Sequence, residues 1–277
     1  MILQRLLPEI GSRTLIMGVL NVTPDSFFDN GRFFDRKKAV KRALEMVSEG
    51  ADMIDIGGES TRPGAEEVKI DEELDRVIPV IEALADKIEI PISIDTRKSE
   101  VALAAVSAGA SIVNDVSALR NDPLMAGAVS QSGAAVILMH MKGTPETMQK
   151  APRYKNIVKE ISAHLEDSVK TAVAAGIKKQ DIIIDPGIGF GKTLRHNLEI
   201  LRSLGIFRSM GFPLCIGTSR KSFIGKLLEC DDPAGRLYGT IATGTIAIIN
   251  GADILRVHDV REAVQAARVT DAIVRKK

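Results

Sequence analysis

Charged and amide side chains in this chain cluster at one kind of position, directly after a short apolar run. Asn21 heads Asn-Val-Thr-Pro-Asp-Ser after the first run. The second leads into Asp55-Ile-Gly-Gly-Glu-Ser-Thr-Arg-Pro-Gly, and the third ends at Asp95-Thr-Arg-Lys. Asn114-Asp115, Met139-His140 and Asp185-Pro-Gly-Ile-Gly-Phe-Gly-Lys close the next three. Gly217-Thr-Ser-Arg-Lys-Ser and Arg256-Val-His-Asp close the last two. A carboxylate accepts two hydrogen bonds and an asparagine offers a donor beside an acceptor, so two negative or amide groups from central strands could read the edge of an amino-substituted flat heterocycle. A buried carboxylate without a partner is costly, and a ligand with paired N–H donors would explain such a set. Arginine grips anion oxygens bidentately, so Arg256, His258, Thr61-Arg62 and Asn21 read as a phosphate clamp. Gly57, Gly58 and Gly64 bracket Thr61-Arg62 and would leave that segment free to close. Singly, each residue has a plainer reading: an Asp after a strand caps the next helix, Asp-Pro-Gly is a turn, and Thr218, Ser219 and Asp259 are cap types. Eight such clusters at equivalent positions favour a shared site. The chemistry reached from spacing alone is a heterocycle, a phosphate, group transfer and closing loops.

Two familiar motifs fail. Gly187-Ile-Gly-Phe-Gly-Lys-Thr leaves one residue too few before its Gly-Lys pair for a phosphate-binding loop, and it lacks the dinucleotide spacing. His140, His164, His196 and His258 have no ligand spacing, so no zinc site is expected. No nucleophile–base signature points to covalent catalysis.

The elements that must position these residues alternate along the chain. Strand candidates are Leu15–Leu20, Met53–Ile56, Ile92–Ile94, Ile112–Val113, Val136–Met139, Ile182–Ile184, Leu214–Ile216 and Ile254–Val257, apolar as parallel strands buried on both faces must be. Between them lie helical patterns such as Tyr154–Ala175, with Ile157, Ile161, Leu165, Val169 and Val173 on one face. Gly50, Gly109, Gly133, Gly176 and Gly251 sit where helices need a C-terminal cap. Eight strand–helix units predict a (β/α)8 TIM barrel, an α/β fold, over residues 1–277 as a single domain; an open doubly wound sheet is the alternative. The length of 277 residues with 45% apolar content suits it. In a barrel, all these strand ends meet at one rim, where active sites are built. Net charge of +1 gives no global nucleic-acid surface. No apolar run approaches the ~20 residues of a membrane span, and the N-terminus lacks a signal-peptide core, so a cytoplasmic protein is expected. Cys215 and Cys230 read as two buried thiols in a reducing compartment.

The motifs MGVLNVTPDSFFDNGRF, DIGGESTRPGA, IDTRKSEVA, IVNDVSA, LMHMKGTPETM, DPGIGFGKT, GTSRKSFIG and RVHDV come from all eight strand ends. Together they resemble the dihydropteroate synthase family over nearly the whole chain. The resemblance implies condensation of 6-hydroxymethyl-7,8-dihydropterin diphosphate with p-aminobenzoate, giving 7,8-dihydropteroate and pyrophosphate in folate biosynthesis. It implies that Asp95, Asn114, Met139, Asp185 and Lys221 hold the pterin. Asn21, Thr61, Arg256 and His258 would take the diphosphate, with Asn21 close to Mg²⁺. Phe27, Arg62, Pro63, Phe190, Lys221 and Ser222 would enclose the aminobenzoate. Asp95, Lys221, Arg256 and His258 are the catalytic set it implies, in a dissociative mechanism that forms a pterin-stabilised cation before the amine attacks. It further implies a homodimer and a sulfonamide target. A pterin-dependent methyltransferase would share the barrel and carboxylates but has no use for the diphosphate clamp. A non-catalytic pterin-binding paralogue would have no use for the clamp or for Lys221.

Overall fold

Every one of the eight apolar runs lies in a parallel strand or at its edge in the computed structural model, which describes residues 2–23, 28–29, 33–34, 36–61 and 64–275. The strands are β1 (Leu15–Asn21), β2 (Met53–Gly57), β3 (Ile92–Asp95), β4 (Ile112–Asp115), β5 (Ala135–Met139), β6 (Ile182–Asp185), β7 (Cys215–Ile216) and β8 (Ile254–Val257). Neighbours pair in sequence from β1 to β6, while β8 joins β1 to β7. A parallel bridge between Ile184 and Leu214 closes the ring. The result is the expected (β/α)8 barrel, and the open-sheet alternative is set aside.

Helices lie between the strands: α1 (Ile2–Leu6), α2 (Arg36–Glu49), α3 (Ile70–Ala85), α4 (Ser99–Ser107), α5 (Met125–Ser132), α6 (Ile157–Ala174), α7 (Leu194–Arg202), α8 (Leu204–Arg208), α9 (Ser222–Leu228), α10 (Leu237–Ile249) and α11 (Val260–Val274). After β1 the backbone forms a short antiparallel ladder, Phe28–Asp29 against Phe33–Phe34. None of the described helices is long and apolar enough to cross a membrane.

Several strands run further toward the polar end than their apolar runs. Asn21, Gly57, Asp95, Asn114–Asp115 and Asp185 all belong to strands, because their backbones still pair: Gly57 opposite Asp95, Asp95 opposite Asn114, Met139 opposite Asp185. The rim residues are therefore held by the ladder itself. Helix α6 starts at Ile157, capped by the Asn156 side chain on the Lys159 amide. Its buried face drifts to Ala172 and leaves Val173 exposed, since a spacing of four overshoots the 3.6-residue turn by about 40° each time. The five capping glycines all have positive φ, from 70° at Gly133 to 123° at Gly109.

Two apolar layers result. The larger lies between strands and helices. The smaller fills the barrel: Leu15, Met17, Met53, Ile112, Ile137 and Ile183 pack inside with Cys215, and Leu3 and Leu7 at the start of the chain pack with them. The Leu3 amide donates to Asp181 Oδ1 at 3.0 Å, anchoring α1 beside β6. Cys215 is buried as expected; Cys230 is only half-buried, its Sγ donating to the Asp232 carbonyl oxygen at 3.3 Å on an exposed turn.

Candidate functional site

Strand alternation turns Asp55, two residues before Gly57 in β2, into the upper barrel together with Asp95 and Asn114. Asp55 is fully buried, Asp95 and Asn114 nearly so. Arg256 of β8 reaches across to them. Its Nε donates to Asp55 Oδ2 at 2.6 Å and its Nη2 to Asp95 Oδ2 at 2.7 Å. Asn114 Nδ2 donates to Asp55 Oδ2 at 3.0 Å. Burial pushes the Asp95 carboxyl up to about 7; Arg256 works against that, and the neighbouring charge of Asp55 adds to it. For Arg256, burial disfavours the charge but Asp55 and Asp95 outweigh it, so the guanidinium stays protonated. Among the described residues, Asp55 Oδ1 and Asp95 Oδ1 are buried acceptors without a hydrogen-bond partner. Each such atom costs about 1–3 kcal/mol unless a ligand donor reaches it.

Asp185 ends β6. Its Oδ1 accepts from the Gly187 amide at 2.6 Å, so the turn reading of Asp-Pro-Gly holds as well. Burial raises its carboxyl, opposed by Lys221. Gly187 has no substitute here: its φ is +69°, and a Cβ would fall 1.9 Å from the His140 carbonyl oxygen. Lys221 sits on the turn after β7, its Nζ donating to the Ile188 carbonyl oxygen and lying 4.8 Å from the centre of the Phe190 ring. Burial draws its ammonium down to about 8, with Asp185 acting in the opposite sense. A Cβ at Gly217 would stand 3.7 Å from Lys221 Nζ and 3.6 Å from Arg256 Cβ, ordinary contact distances that would admit a small side chain. Met139 and Phe190 pack with Val116 and Met148 in a separate apolar cluster, a surface on which a flat ring can rest.

Two of the residues expected to clamp an anion share a cleft. Asn21 and His258 line one cleft with Arg42 and Arg220. Thr61 is half-buried at the end of the loop from β2, and Ser222 is exposed at the start of α9. Phe27, Arg62 and Pro63 lie outside the described residues. The structure thus brings together Asp95, Asn114, Asp185, Lys221, Arg256 and Met139 with Phe190, and sets Asn21 and His258 at the adjoining cleft.

Some plainer readings fail. Asp95 caps no helix, since the N-cap of α4 is Lys98. Asp259 stands at the N-cap of α11 without capping it and pairs with Arg220 instead, at 3.0 and 2.5 Å. Gly57 and Gly58 are not hinges: a Cβ at Gly58 would meet Val77 Cγ1 at 2.8 Å, so it is there for close packing on α3. The following residue, Glu59, is pinned by Arg97 and Lys98, and Lys98 also reaches Glu73 at 2.5 Å. Gly64 alone of the three, with φ +81° and open space, fits the expected freedom.

Sequence reasoning passed over Asp55 and Lys192 as site residues. A charge inside the run Met53-Ile54-Asp55-Ile56 was the available signal, since a buried mid-strand carboxylate demands a partner. Lys192 turns inward, donating to the carbonyl oxygens of His140 at 3.2 Å and Phe190 at 2.9 Å, with His140 Nδ1 at 2.9 Å. It ties the end of β5 to the glycine-rich loop, which disposes of any phosphate-loop role. His196 belongs to the capping box of α7. Among the described residues no three His, Cys, Asp or Glu side chains form a metal cage.

A family model described as pterin binding enzyme matches residues 17–258. The dihydropteroate synthase of Synechocystis sp. is 49% identical over 265 residues, 96% of this chain and 92% of that protein. A Yersinia pestis dihydropteroate synthase, solved in complex with a sulfonamide drug, superposes with a TM-score of 0.90 at 45% identity, covering 95% of this chain and 94% of that one. A Xanthomonas albilineans dihydropteroate synthase, solved with 4-aminobenzoic acid, gives a TM-score of 0.90 at 44% identity over 96% and 94% of the two chains.

Proposed function

Since the chain belongs to the dihydropteroate synthase family of pterin-binding enzymes, we propose that it joins 6-hydroxymethyl-7,8-dihydropterin diphosphate to p-aminobenzoate, releasing pyrophosphate and 7,8-dihydropteroate in folate biosynthesis. The observation that carries this reading is the buried pair Asp55–Asp95, held by one arginine and still offering two unpartnered acceptors.

Asp95, Asn114 and Asp185 read the pterin edge. Asn114 gives its amide donor to Asp55, which leaves its amide oxygen for a ligand N–H. Met139 packs on the ring and Lys221 meets the pterin carbonyl. The methylene–oxygen bond breaks first. Asp95, beside the ring, stabilises the growing cation, a case of charge fixed in place before the reaction. Arg256 works against the burial that favours the protonated carboxyl of Asp95, and Asp55 holds Arg256. Arg256 and His258, with Asn21 and Thr61, bind the departing diphosphate. From a pocket of Phe27, Arg62, Pro63, Phe190, Lys221 and Ser222, the arylamine, an uncharged nucleophile at neutral pH, attacks the methylene carbon with its lone pair and then loses one N–H proton to solvent.

Mg²⁺ fits this donor set as an ion carried by the diphosphate. It commonly uses one or two protein oxygens beside phosphate and water, so the absence of a carboxylate cage among the described residues is no obstacle and Asn21 is the side chain to meet it. Bound there, it would neutralise charge on the leaving group.

The same reading makes it a cytoplasmic homodimer and a sulfonamide target. Exposed Tyr238, Ile246 and Ile249 on α10, with Val269 and Ile273 on α11, support the dimer reading with an apolar face. The test of the site is a titration with a reduced pterin. Wild type binds, and Asn114→Leu, which removes the ligand's acceptor, loses at least about tenfold in affinity. Unchanged affinity would remove β4 from the pterin site.

A further inference from the structure

His258 and Ser219 meet across the gap between the loops that follow β7 and β8. Ser219 is buried at 6% exposure. Its Oγ accepts from the His258 backbone amide at 3.2 Å and lies 2.9 Å from His258 Nδ1. The next residues along both loops pair as well: Arg220 grips Asp259 through two hydrogen bonds. Arg220 holds a left-handed φ of +57°. Its amide donates to Thr240 Oγ1 at 3.0 Å, and its carbonyl oxygen accepts from Arg236 Nη1 at 2.9 Å. Residues 219 and 220 are thus splinted to 258 and 259, and the serine hydroxyl is fixed opposite one ring nitrogen.

A hydroxyl has one hydrogen to donate. One side of Ser219 Oγ already accepts from the backbone amide. If Nδ1 carried a proton, Oγ would face two donors and its own buried hydrogen would be left without an acceptor among the described residues, a cost of about 1–3 kcal/mol. If Nδ1 is bare, the hydroxyl donates to it and both sides of Ser219 Oγ are matched. We propose that Ser219 is a positioning residue that fixes the tautomer of His258, keeping Nδ1 as acceptor and the ring proton on Nε2. The Nε2 side of the ring is then an N–H donor, the polarity an anion oxygen needs, rather than a lone pair that would repel it. Which anion this serves rests on the diphosphate reading above; the tautomer itself does not.

The test uses whole enzyme labelled with ¹⁵N in histidine. The chain has four histidines, and the His258 resonances are identified as those lost in His258→Gln. In wild type, His258 Nδ1 should resonate as a bare, acceptor nitrogen and Nε2 as a protonated one. Ser219→Ala should move both toward the average of mixed tautomers, and Ser219→Thr, which keeps the hydroxyl, should restore them. Pyrophosphate affinity should fall about three- to tenfold in Ser219→Ala and recover in Ser219→Thr, the scale of one lost side-chain hydrogen bond, while the KM for aminobenzoate, measured with pterin diphosphate saturating, stays put. A protonated Nδ1 in wild type, or an unaltered tautomer in Ser219→Ala, overturns the proposal. A tautomer that shifts as stated with no change in pyrophosphate affinity supports the role of Ser219 and instead sinks the placement of the diphosphate at His258. Should Ser219→Ala fail to fold, the wild-type spectrum with that of Ser219→Thr still decides the tautomer.

Discussion

Replacing Asp95 by Asn separates what this side chain does for the reaction from what it costs the fold. Asp95 is 7% exposed, and its carboxyl is pushed up to about 7, chiefly by burial. In the unfolded chain the same group titrates near 3.9. A carboxyl raised by folding is easier to bury neutral, so its ionisation weakens the native state as pH rises. The penalty is absent below about pH 4, grows between about 4 and 7, and is complete above that. Three pH units correspond to a ceiling on the order of 4 kcal/mol. The value of about 7 already contains the pull of Arg256, and an Asn oxygen can still accept from Arg256 Nη2. Asp95→Asn should therefore be more stable than the parent at pH 8, by up to that amount, with the gap closing toward pH 4. Turnover should fall by about 10²-fold or more, since the charge beside the developing cation is gone. Denaturant midpoints at the two pH values and steady-state rates measure both. A variant destabilised equally at pH 4 and pH 8 would refute the burial argument, and near-normal turnover would refute the electrostatic one.

Three further outcomes follow from the same geometry. Asp185→Ala should abolish pterin binding while leaving pyrophosphate binding largely intact; calorimetry with unchanged pterin affinity would take Asp185 out of the site. Gly187→Ala must push a methyl into the His140 carbonyl at positive φ, so it should cost at least about 3 kcal/mol, and thermal unfolding within about 1 kcal/mol of the parent would show that the turn yields. Labelled aminobenzoate should bind weakly to the free enzyme and tightly with pyrophosphate and Mg²⁺ present, because Phe27 and Pro63, proposed for its pocket, lie close in sequence to Asn21 and Thr61, proposed for the clamp; equal affinities in the two titrations would mean a preformed pocket.

Much of the architecture was legible because parallel strands in a barrel are apolar on both faces and the polar residues cluster at their ends. Register was less so: nothing in Asp95-Thr-Arg-Lys says that Asp95 still pairs in the ladder while Lys98 opens the helix. The partners of buried charges were also hidden. Asp55 and Arg256 are 201 residues apart, and only closure of the barrel brings β2 and β8 to opposite sides of β1. The same holds for Lys192, which looked like part of a failed phosphate loop and instead fastens two strand ends. The glycines before Thr61 misled for a related reason. A glycine kept for close packing, as at Gly58 against Val77, looks in sequence like one kept for freedom.

The most direct test of the function is a coupled assay on the purified enzyme that follows pyrophosphate and dihydropteroate together. Pyrophosphate should appear in equal amount with dihydropteroate, only when pterin diphosphate and p-aminobenzoate are both supplied, and Asp95→Asn should suppress both products alike. Failure to form dihydropteroate from the two substrates, with the pterin still bound, would contradict the account and leave a pterin-binding protein of another kind.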